Sequence, residues 1–440
     1  MLLEFRMKNY KSFREEAVFS MVPAPKQKGL DYSVFSQVIG GGTYKSLSSA
    51  VIYGPNASGK TNLIGAMDTF RMIIRRGNIN NSDTVTTPNQ AAFSLELIPN
   101  RQSKLCSTIL GMKFIDHGFL FDYSLEMDLG PFLDNDYKRR IIDESLIING
   151  EKVFSRKNGL SVETPKVIEN YLNSTVRENA DVAFKIAKSG LNDTDLFLTN
   201  GFKTVYSLDL SFMILNWIER KFIIIYRSDA IKPLKEYSDA KDNTIYVEKT
   251  LSAAASEFGS NSNSLGFKTN GEQKDMVLCS IFEDRHIAIP VEVFESYGTI
   301  RFVREFPLIA HALAIGGTLV MDEFDASIHP MALMNIINIF HNDEINKNHA
   351  QLIFNTHNPI FLNSSLFRRD EIKFVERNDL THESIHYSLS DFKTSGKKGV
   401  RRGADYLKNY FIGQYGAIKD IDFTPIIEQF LKDSEAKNHE

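Results

Sequence analysis

The sequence contains little cysteine, a single tryptophan and no long apolar run. Cys106 and Cys279 are the only cysteines among the 440 residues, and they have neither the spacing of a metal site nor the number that a disulfide framework needs. We interpret both as buried small apolar residues in a reducing compartment. The most apolar long window, Phe306 to Gly317, is too short to span a bilayer, and charges interrupt the amino terminus too early for a signal peptide. We therefore expect a cytoplasmic protein with no membrane partner.

The charge balance shows no strong excess of either sign. With 51 Lys and Arg against 55 Asp and Glu, the net charge of −4 neither requires nor excludes nucleic acid as a partner. A local basic patch would have to make any such contact. The run from Lys397 to Arg402 is one candidate; a solvated face, a protein partner and a nucleotide across an interface are the alternatives.

One short stretch has the spacing of a phosphate-binding loop. It reads Gly54-Pro55-Asn56-Ala57-Ser58-Gly59-Lys60-Thr61, with an apolar strand before it and an amphipathic helix after it. A polyphosphate needs backbone N–H groups from a concave loop and from a helix N-terminus. The expected nucleotide-binding residues are Gly54, Asn56, Ala57, Ser58, Gly59, Lys60, Thr61 and Asn62. A strand-to-helix turn without a ligand is the alternative.

Each residue type in this loop has a chemical reason. Gly54 and Gly59 allow backbone angles and a close approach that a side chain would block. Lys60 can place its ammonium on the β- and γ-phosphates, and the Thr61 hydroxyl can coordinate Mg²⁺. The loop therefore predicts binding of ATP with Mg²⁺.

Two later strand ends carry further chemistry. Asp322 and Glu323 follow the apolar strand Thr318 to Met321, and His357 follows the next strand. Ligands of parallel α/β sheets bind beyond the carboxyl ends of the strands, so these side chains should face the phosphate loop. We expect Asp322 to hold Mg²⁺, Glu323 to polarise the attacking water and His357 to contact the γ-phosphate. The alternatives are a solvated strand end and a structural histidine.

Ser296 and Gly298 open the helix that precedes the carboxylate strand. A helix N-terminus with a serine and a glycine is an anion site, but the geometry of such a sheet points this helix away from its own phosphate loop. We therefore expect Ser296 and Gly298 to bind the nucleotide of another subunit. An ordinary N-cap serine is the alternative.

The remaining pattern predicts an α/β protein with an insertion. A β-hairpin over residues 2–20 leads to a loop over 22–45, and antiparallel strands run from Phe93 to Ser155, with a hairpin turn at Asn149-Gly150. Residues 165–250 are interpreted as a helical lobe, with Phe212 to Ile225 as one of its clearest helices. Ser256 to Glu272 is interpreted as a mobile loop, and alternating strands and helices after 290 predict a largely parallel sheet.

This order of elements divides the chain into three parts. We expect an N-terminal ATPase lobe over residues 1–164, a helical insertion with its loop over 165–272, and a C-terminal ATPase lobe over 273–440.

Several motifs together carry a family resemblance. They are Gly54 to Thr61, Glu295 to Thr299, Asp322 to Pro330 and Asn355 to Pro359, with Asn9 to Phe13 and Tyr406 to Ile418 nearer the ends. The chain resembles the ABC-class ATPase heads, which include the chromosome-structuring and double-strand-break-repair ATPases, RecF and the overcoming-lysogenization-defect proteins. It looks closest to the AAA-family, ABC-type ATPases of bacterial phage-defence and abortive-infection systems, such as the RloA-type, AbiLi-type and PARIS AriA-type subunits.

The resemblance implies an ABC-type ATPase head that hydrolyses ATP as a homodimer or higher homo-oligomer. Ser296 and Gly298 of one subunit would close on the γ-phosphate held by Lys60 of the other, with Asp325 at the interface. Lys11 would lie near the adenine or the phosphates. Gln90 is a candidate for the metal-sensing glutamine of the family.

The resemblance also implies a role, with an alternative. The expected role is an ATP-dependent switch that controls a separate effector, a nuclease or toxin, in antiviral defence. The alternative is a RecF-like repair ATPase that binds DNA directly. The chain departs from two groups of relatives. Its 165–250 lobe is too short for the long coiled coil of the chromosome-structuring ATPases, and we see no acidic metal-site domain after residue 390 like that of the full overcoming-lysogenization-defect nucleases.

Overall fold

A computed structural model describes residues 1–437 except 26, 28, 81–94, 104–105, 135, 158, 227–244, 271–272, 395–398 and 402. The strands are β1 Leu2–Lys8, β2 Ala17–Ser20, β3 Val34–Ile39, β4 Gly42–Leu47, β5 Ser49–Tyr53, β6 Thr108–Asp116, β7 Phe119–Asp128, β8 Arg140–Ile148, β9 Glu151–Ser155, β10 Ser161–Val162, β11 Phe222–Ile225, β12 Ile245–Val247, β13 Ser264–Asn270, β14 Gln273–Phe282, β15 Ile287–Pro290, β16 Thr318–Met321, β17 Gln351–Asn355, β18 Ile372–Arg377 and β19 Ser384–Ser388.

The α-helices of the described residues are spread along the chain from Lys60 onward. They are α1 Lys60–Arg76, α2 Ser174–Ser189, α3 Phe197–Asn200, α4 Phe202–Val205, α5 Leu208–Asn216, α6 Lys249–Phe258, α7 Val291–Phe294, α8 Tyr297–Ile315, α9 Pro330–His341, α10 Tyr406–Phe411 and α11 Thr424–Lys437. Within the described ranges, no helix is both long enough and apolar enough to cross a membrane.

A six-stranded sheet positions the site. Its strand order is β11-β16-β17-β5-β18-β19, in which every pair is parallel except β18 with β19. All residues of β5, β16 and β17 are buried, as expected for parallel strands covered on both faces. The predicted mostly parallel sheet is confirmed, and the carboxyl ends of β16, β17 and β5 meet at one edge.

A seven-stranded antiparallel sheet packs on one side of the central sheet. Its order is β10-β9-β8-β7-β6-β1-β2, which confirms the predicted antiparallel subdomain and the leading β1–β2 hairpin. Asn149 and Gly150, both with positive φ, form the predicted turn between β8 and β9. Helix α1 shares one apolar core with both sheets, where Phe70 packs edge-on against Phe5. A second core, built around α8 and α9, covers the other face of the central sheet.

Two segments interpreted as loops are strands, so those predictions are wrong. The 22–45 segment contains β3 and most of β4, which pair with each other as a hairpin. The Ser256 to Glu272 segment contains the end of α6 and all of β13, which pairs with β12 and β14. Its polar composition hid a strand that cross-strand pairing holds in place.

Two predicted elements also have the wrong type. Phe212 to Ile225 is not one helix: α5 ends at Asn216, a π-helical turn follows over Trp217–Lys221, and the apolar run becomes β11. β11 pairs in parallel with β16 and so belongs to the central sheet. The strand predicted at Phe93 to Leu97 is absent over its described residues 95–97, and its first two residues lie outside the described ranges. The three-part domain division stays a prediction.

The two cysteines differ in burial. Cys279 is buried as predicted, but Cys106 is exposed, so the interpretation of Cys106 as a buried residue is wrong.

Candidate functional site

The phosphate loop connects the buried strand β5 to α1, and its two glycine positions leave no room for a side chain. A Cβ on Gly54 would lie 2.2 Å from the Val375 carbonyl oxygen, so the backbone of β18 excludes any side chain there. Gly59 has φ 112° and is the N-cap residue of α1, and a Cβ there would meet the Ser384 hydroxyl at 2.5 Å. Both predicted glycine positions therefore have a steric reason.

Lys60 is buried at the start of α1. Its Nζ donates to the carbonyl oxygens of Gly54 at 2.8 Å and Pro55 at 3.1 Å, so the ammonium lies over the loop. Burial lowers the pKa of Lys60 to about 8, and the nearby carboxylates of Asp322 and Glu323 oppose that shift. The loop thus presents a positive charge on the side that the carboxylate strand faces.

Asp322 lies opposite the loop, at the end of β16. It is 5% exposed, and its Oδ1 accepts a hydrogen bond from the Thr61 hydroxyl at 3.2 Å. Burial raises the pKa of Asp322, whereas hydrogen bonds from Asn355 and Thr61 lower it. The two predicted metal ligands, Thr61 and Asp322, are therefore brought together although 261 residues separate them.

Asn355 connects the two carboxylate residues, and the sequence reasoning did not assign it a role. Its Nδ2 donates to Asp322 Oδ1, and its Oδ1 accepts from the backbone N–H of Glu323. It is completely buried at the end of β17, next to β16 in the sheet. An asparagine at the end of a buried strand, two residues before His357, was the available signal.

Glu323 and His357 are exposed at the same edge. Glu323 has φ 52°, an uncommon conformation for a glutamate, and its carboxylate is solvent-accessible. Burial and the charge of Lys60 lower the pKa of His357, whereas Asp325 and Glu323 raise it. His357 is thus electrostatically coupled to the loop lysine and to the acidic residues after β16.

Ser296 and Gly298 lie at the start of α8. Ser296 is the exposed N-cap of α8, and its Oγ accepts from the Thr299 N–H at 3.1 Å, so the N-cap alternative describes its role within one subunit. A Cβ on Gly298 would lie 2.2 Å from the Ser327 carbonyl oxygen. The start of α8 therefore packs on the loop that follows Asp322 and Glu323.

A cleft of about 240 Å³ continues from the phosphate loop. It is lined by Lys11, Ser12, Ala57, Asn62, Ile98, Asn100, Arg101, Phe132, Arg377, Thr381 and His382. Asn62 donates to Ser12 at 2.8 Å, and Arg377 donates to the Ala57 carbonyl oxygen at 3.2 Å, which ties the cleft walls to the loop. An aromatic ring, cationic side chains and amides beside a phosphate loop suit a nucleoside.

The family resemblance also named Lys11 and Gln90, and the structure describes only the first of the two. Lys11 lines this cleft and forms an ion pair with Glu96. Gln90 lies outside the described residues, as do Lys397, Lys398 and Arg402 of the basic run from Lys397 to Arg402.

The geometry agrees with a family assignment. The sequence profile of the family described as "AAA domain, putative AbiEii toxin, Type IV TA system" matches residues 49–363, which is more than half of the chain. The chain belongs to this family. An AAA-type, nucleotide-binding ATPase domain therefore contains the phosphate loop, both carboxylates and the Ser296 segment.

Comparisons with individual proteins assign no function beyond that of the family. No curated protein matches the chain. Among solved structures, the chain is similar to the SMC head domain from Thermotoga maritima, with 11% identity and a TM-score of 0.35 over 88% of this chain and 98% of that chain.

Proposed function

We propose that this protein is an ATP-hydrolysing switch that dimerises around ATP. The observation that carries the proposal is the convergence of Lys60, Thr61, Asp322 and Asn355 at the carboxyl edge of the sheet, with Glu323 exposed beside them. A phosphate loop, a carboxylate within hydrogen-bond distance of its threonine, and an exposed second carboxylate form the minimum set for phosphoanhydride hydrolysis.

The oxygen donors at this site fit Mg²⁺. The Thr61 hydroxyl and the Asp322 carboxylate lie within 3.2 Å of each other, and hard oxygen ligands of this kind hold Mg²⁺ together with substrate phosphates. When bound, Mg²⁺ would neutralise charge on the phosphates. Asn355 keeps the Asp322 carboxylate oriented toward Thr61.

The remaining steps are assigned to this chain's own side chains. Lys60 pairs with the β- and γ-phosphate oxygens, and Glu323 accepts a proton from the attacking water as its oxygen bonds to the γ-phosphorus. The bond between that phosphorus and the β–γ bridging oxygen breaks, releasing ADP and phosphate. His357, whose lowered pKa favours the neutral ring, donates one hydrogen bond to the γ-phosphate.

Ser296 is the reason for proposing a dimer. It is exposed at the N-terminus of a 19-residue helix, where a second subunit can reach it. A nucleotide bound by Lys60 of one subunit and by Ser296 and Gly298 of another would make ATP affinity and dimerisation rise together. Tyr297 and Val293, 60% and 75% exposed, lie on either side of Ser296 and are apolar surface that a partner subunit would cover.

The biological role is proposed from the family. The family description names a putative toxin and a toxin–antitoxin system, and the motif resemblance points to phage-defence ATPases. We propose that ATP-driven dimerisation in the cytoplasm controls a separate nuclease or toxin during phage infection.

The experiment measures phosphate release and sedimentation on the same preparation. We expect magnesium-dependent ATP hydrolysis and a shift from a 49.9 kDa monomer toward a dimer on adding ATP. A preparation that binds ATP but stays monomeric would contradict the switch. Steep stimulation of hydrolysis by DNA that salt removes would favour the RecF-like alternative instead.

A further inference from the structure

Helix α8 carries a buried ion pair one turn beyond Gly298. Arg301 Nε donates to Glu305 Oε1 at 2.9 Å, and the two residues are only 8% and 1% exposed. Both side chains have been removed from water, which costs free energy unless pairing and hydrogen bonds compensate for the lost hydration. The second carboxylate oxygen of Glu305 is buried without a hydrogen-bond partner among the described residues. Within that part of the chain, Arg301 Nε is therefore the side-chain donor that this carboxylate binds.

The other end of the guanidinium reaches the hydrolytic loop. Arg301 Nη2 donates to the backbone carbonyl oxygen of Glu323 at 2.5 Å. The same oxygen accepts a hydrogen bond from the Ala326 N–H at 3.1 Å. The peptide after Glu323 is therefore fixed by the Arg301 guanidinium of α8 as well as by the Ala326 N–H of the turn that it belongs to.

The loop that Arg301 holds has an unusual backbone. Glu323 and Ser327 have φ values of 52° and 64°, in the left-handed region that non-glycine residues seldom adopt. Such conformations persist only where the surroundings enforce them. Helix α8 provides these surroundings: Gly298 packs against the Ser327 carbonyl with no space for a Cβ, and Arg301 donates a hydrogen bond to the Glu323 carbonyl oxygen.

Through these contacts, helix α8 connects two parts of the proposed site. The N-terminal end of α8 carries Ser296, which would contact the partner's nucleotide, and the next turn carries Arg301, which holds the glutamate that would activate water in its own subunit. A displacement of α8 that follows nucleotide capture must therefore move the Glu323 peptide.

We propose that Arg301, oriented by Glu305, is a positioning residue for hydrolysis, linking the serine end of α8 to the backbone of Glu323. The proposal rests on the function proposed above. Arg301 acts through Glu323 and touches no substrate atom, so its removal should slow the hydrolytic step and leave nucleotide affinity almost unchanged.

The test compares Arg301→Met and Arg301→Lys with a matched control on the same helix. Arg304→Met also removes an arginine that pairs with a carboxylate, because Arg304 Nη2 lies 2.6 Å from Glu292, but that pair is partly exposed, with side chains 29% and 53% accessible, and does not contact Glu323. The readouts are binding of a fluorescent ATP analogue and single-turnover ATP hydrolysis. Glu323→Gln serves as the reference for a subunit that binds but does not hydrolyse.

We expect Arg301→Met to slow single-turnover hydrolysis by about 10- to 100-fold with nucleotide affinity within about twofold of wild type. Lysine, which retains the charge, should restore part of the rate, and Arg304→Met should behave as wild type. If Arg301→Met does not fold, a slowed rate with unchanged affinity in Arg301→Lys carries the proposal.

Three results would overturn this inference while leaving the proposed function intact. They are a wild-type rate in a folded Arg301→Met protein, a parallel loss of affinity and rate, and an equal slowing by Arg304→Met. A wild-type rate in Glu323→Gln would instead defeat the proposed function itself.

Discussion

Replacing Asn355 with alanine should damage both stability and turnover. The substitution removes the acceptor of the Glu323 N–H and the amide donor to Asp322. Asn355 is fully buried, so water cannot readily replace either partner. One part-buried backbone donor without its acceptor and one lost bond to a carboxylate together correspond to about 2–5 kcal/mol of unfolding free energy.

The same change frees the residues that would carry the chemistry. Glu323 loses a contact that fixes its left-handed backbone, and Asp322 loses a hydrogen bond that lowers its pKa. Residues that orient metal ligands typically contribute about 10- to 100-fold in affinity or activity. We therefore expect steady-state ATP hydrolysis to fall by about that factor at saturating magnesium.

The assay combines urea unfolding with phosphate release, and Asn348→Ala is the matched control. Asn348 also donates two hydrogen bonds, to the carbonyl oxygens of Leu313 and Ala314, but it is exposed and precedes the amino end of β17, whereas Asn355 ends that strand. Its replacement should change stability by less than about 1 kcal/mol and leave turnover unchanged. Wild-type stability and turnover in Asn355→Ala would refute the reasoning.

Two further predictions concern Glu323 and Glu144. Glu323→Gln should bind ATP normally but lose about two to four orders of magnitude in phosphate release, because glutamine cannot accept the proton; unchanged release would remove that role. Glu144 accepts hydrogen bonds from Tyr123 and from the N–H groups of Phe197 and Leu198, and burial raises its pKa to about 7. A raised carboxyl pKa means that the native state binds the proton more tightly, so this group's contribution is largest below about pH 4.5 and falls as pH rises through 7. The stability difference between wild type and Glu144→Gln, followed by urea unfolding, should therefore shift by up to about 3 kcal/mol against wild type from pH 5 to 8; a pH-independent difference would contradict this.

The sequence predicted the local elements of the site well. A loop of fixed spacing, a buried strand ending in two carboxylates, and a helix opened by Ser296 and Gly298 are each encoded within a few residues. The convergence of the loop with the two carboxylates followed from one rule, that parallel strands present their carboxyl ends at a common edge.

Long-range pairing was not readable in the same way. The last four residues of that predicted helix, Phe222–Ile225, are all apolar, so their period could not separate a helix from a strand that pairs with β16. Asn355 and Arg301 are separated from their partner Glu323 by 32 and 22 residues, and no local pattern marks such contacts. The cleft beside the loop is likewise assembled from five separate segments of the chain.

The most direct test of the composite site mixes two inactive proteins. Lys60→Ala destroys the loop half of each site and Ser296→Arg destroys the helix half, so each variant alone should be inactive. In a random mixture, half of the dimers combine both variants, and each of these retains one intact site out of two. We predict recovery of about one quarter of wild-type ATP hydrolysis. A mixture as inactive as its components, or full activity in Ser296→Arg alone, would contradict a site shared between two subunits.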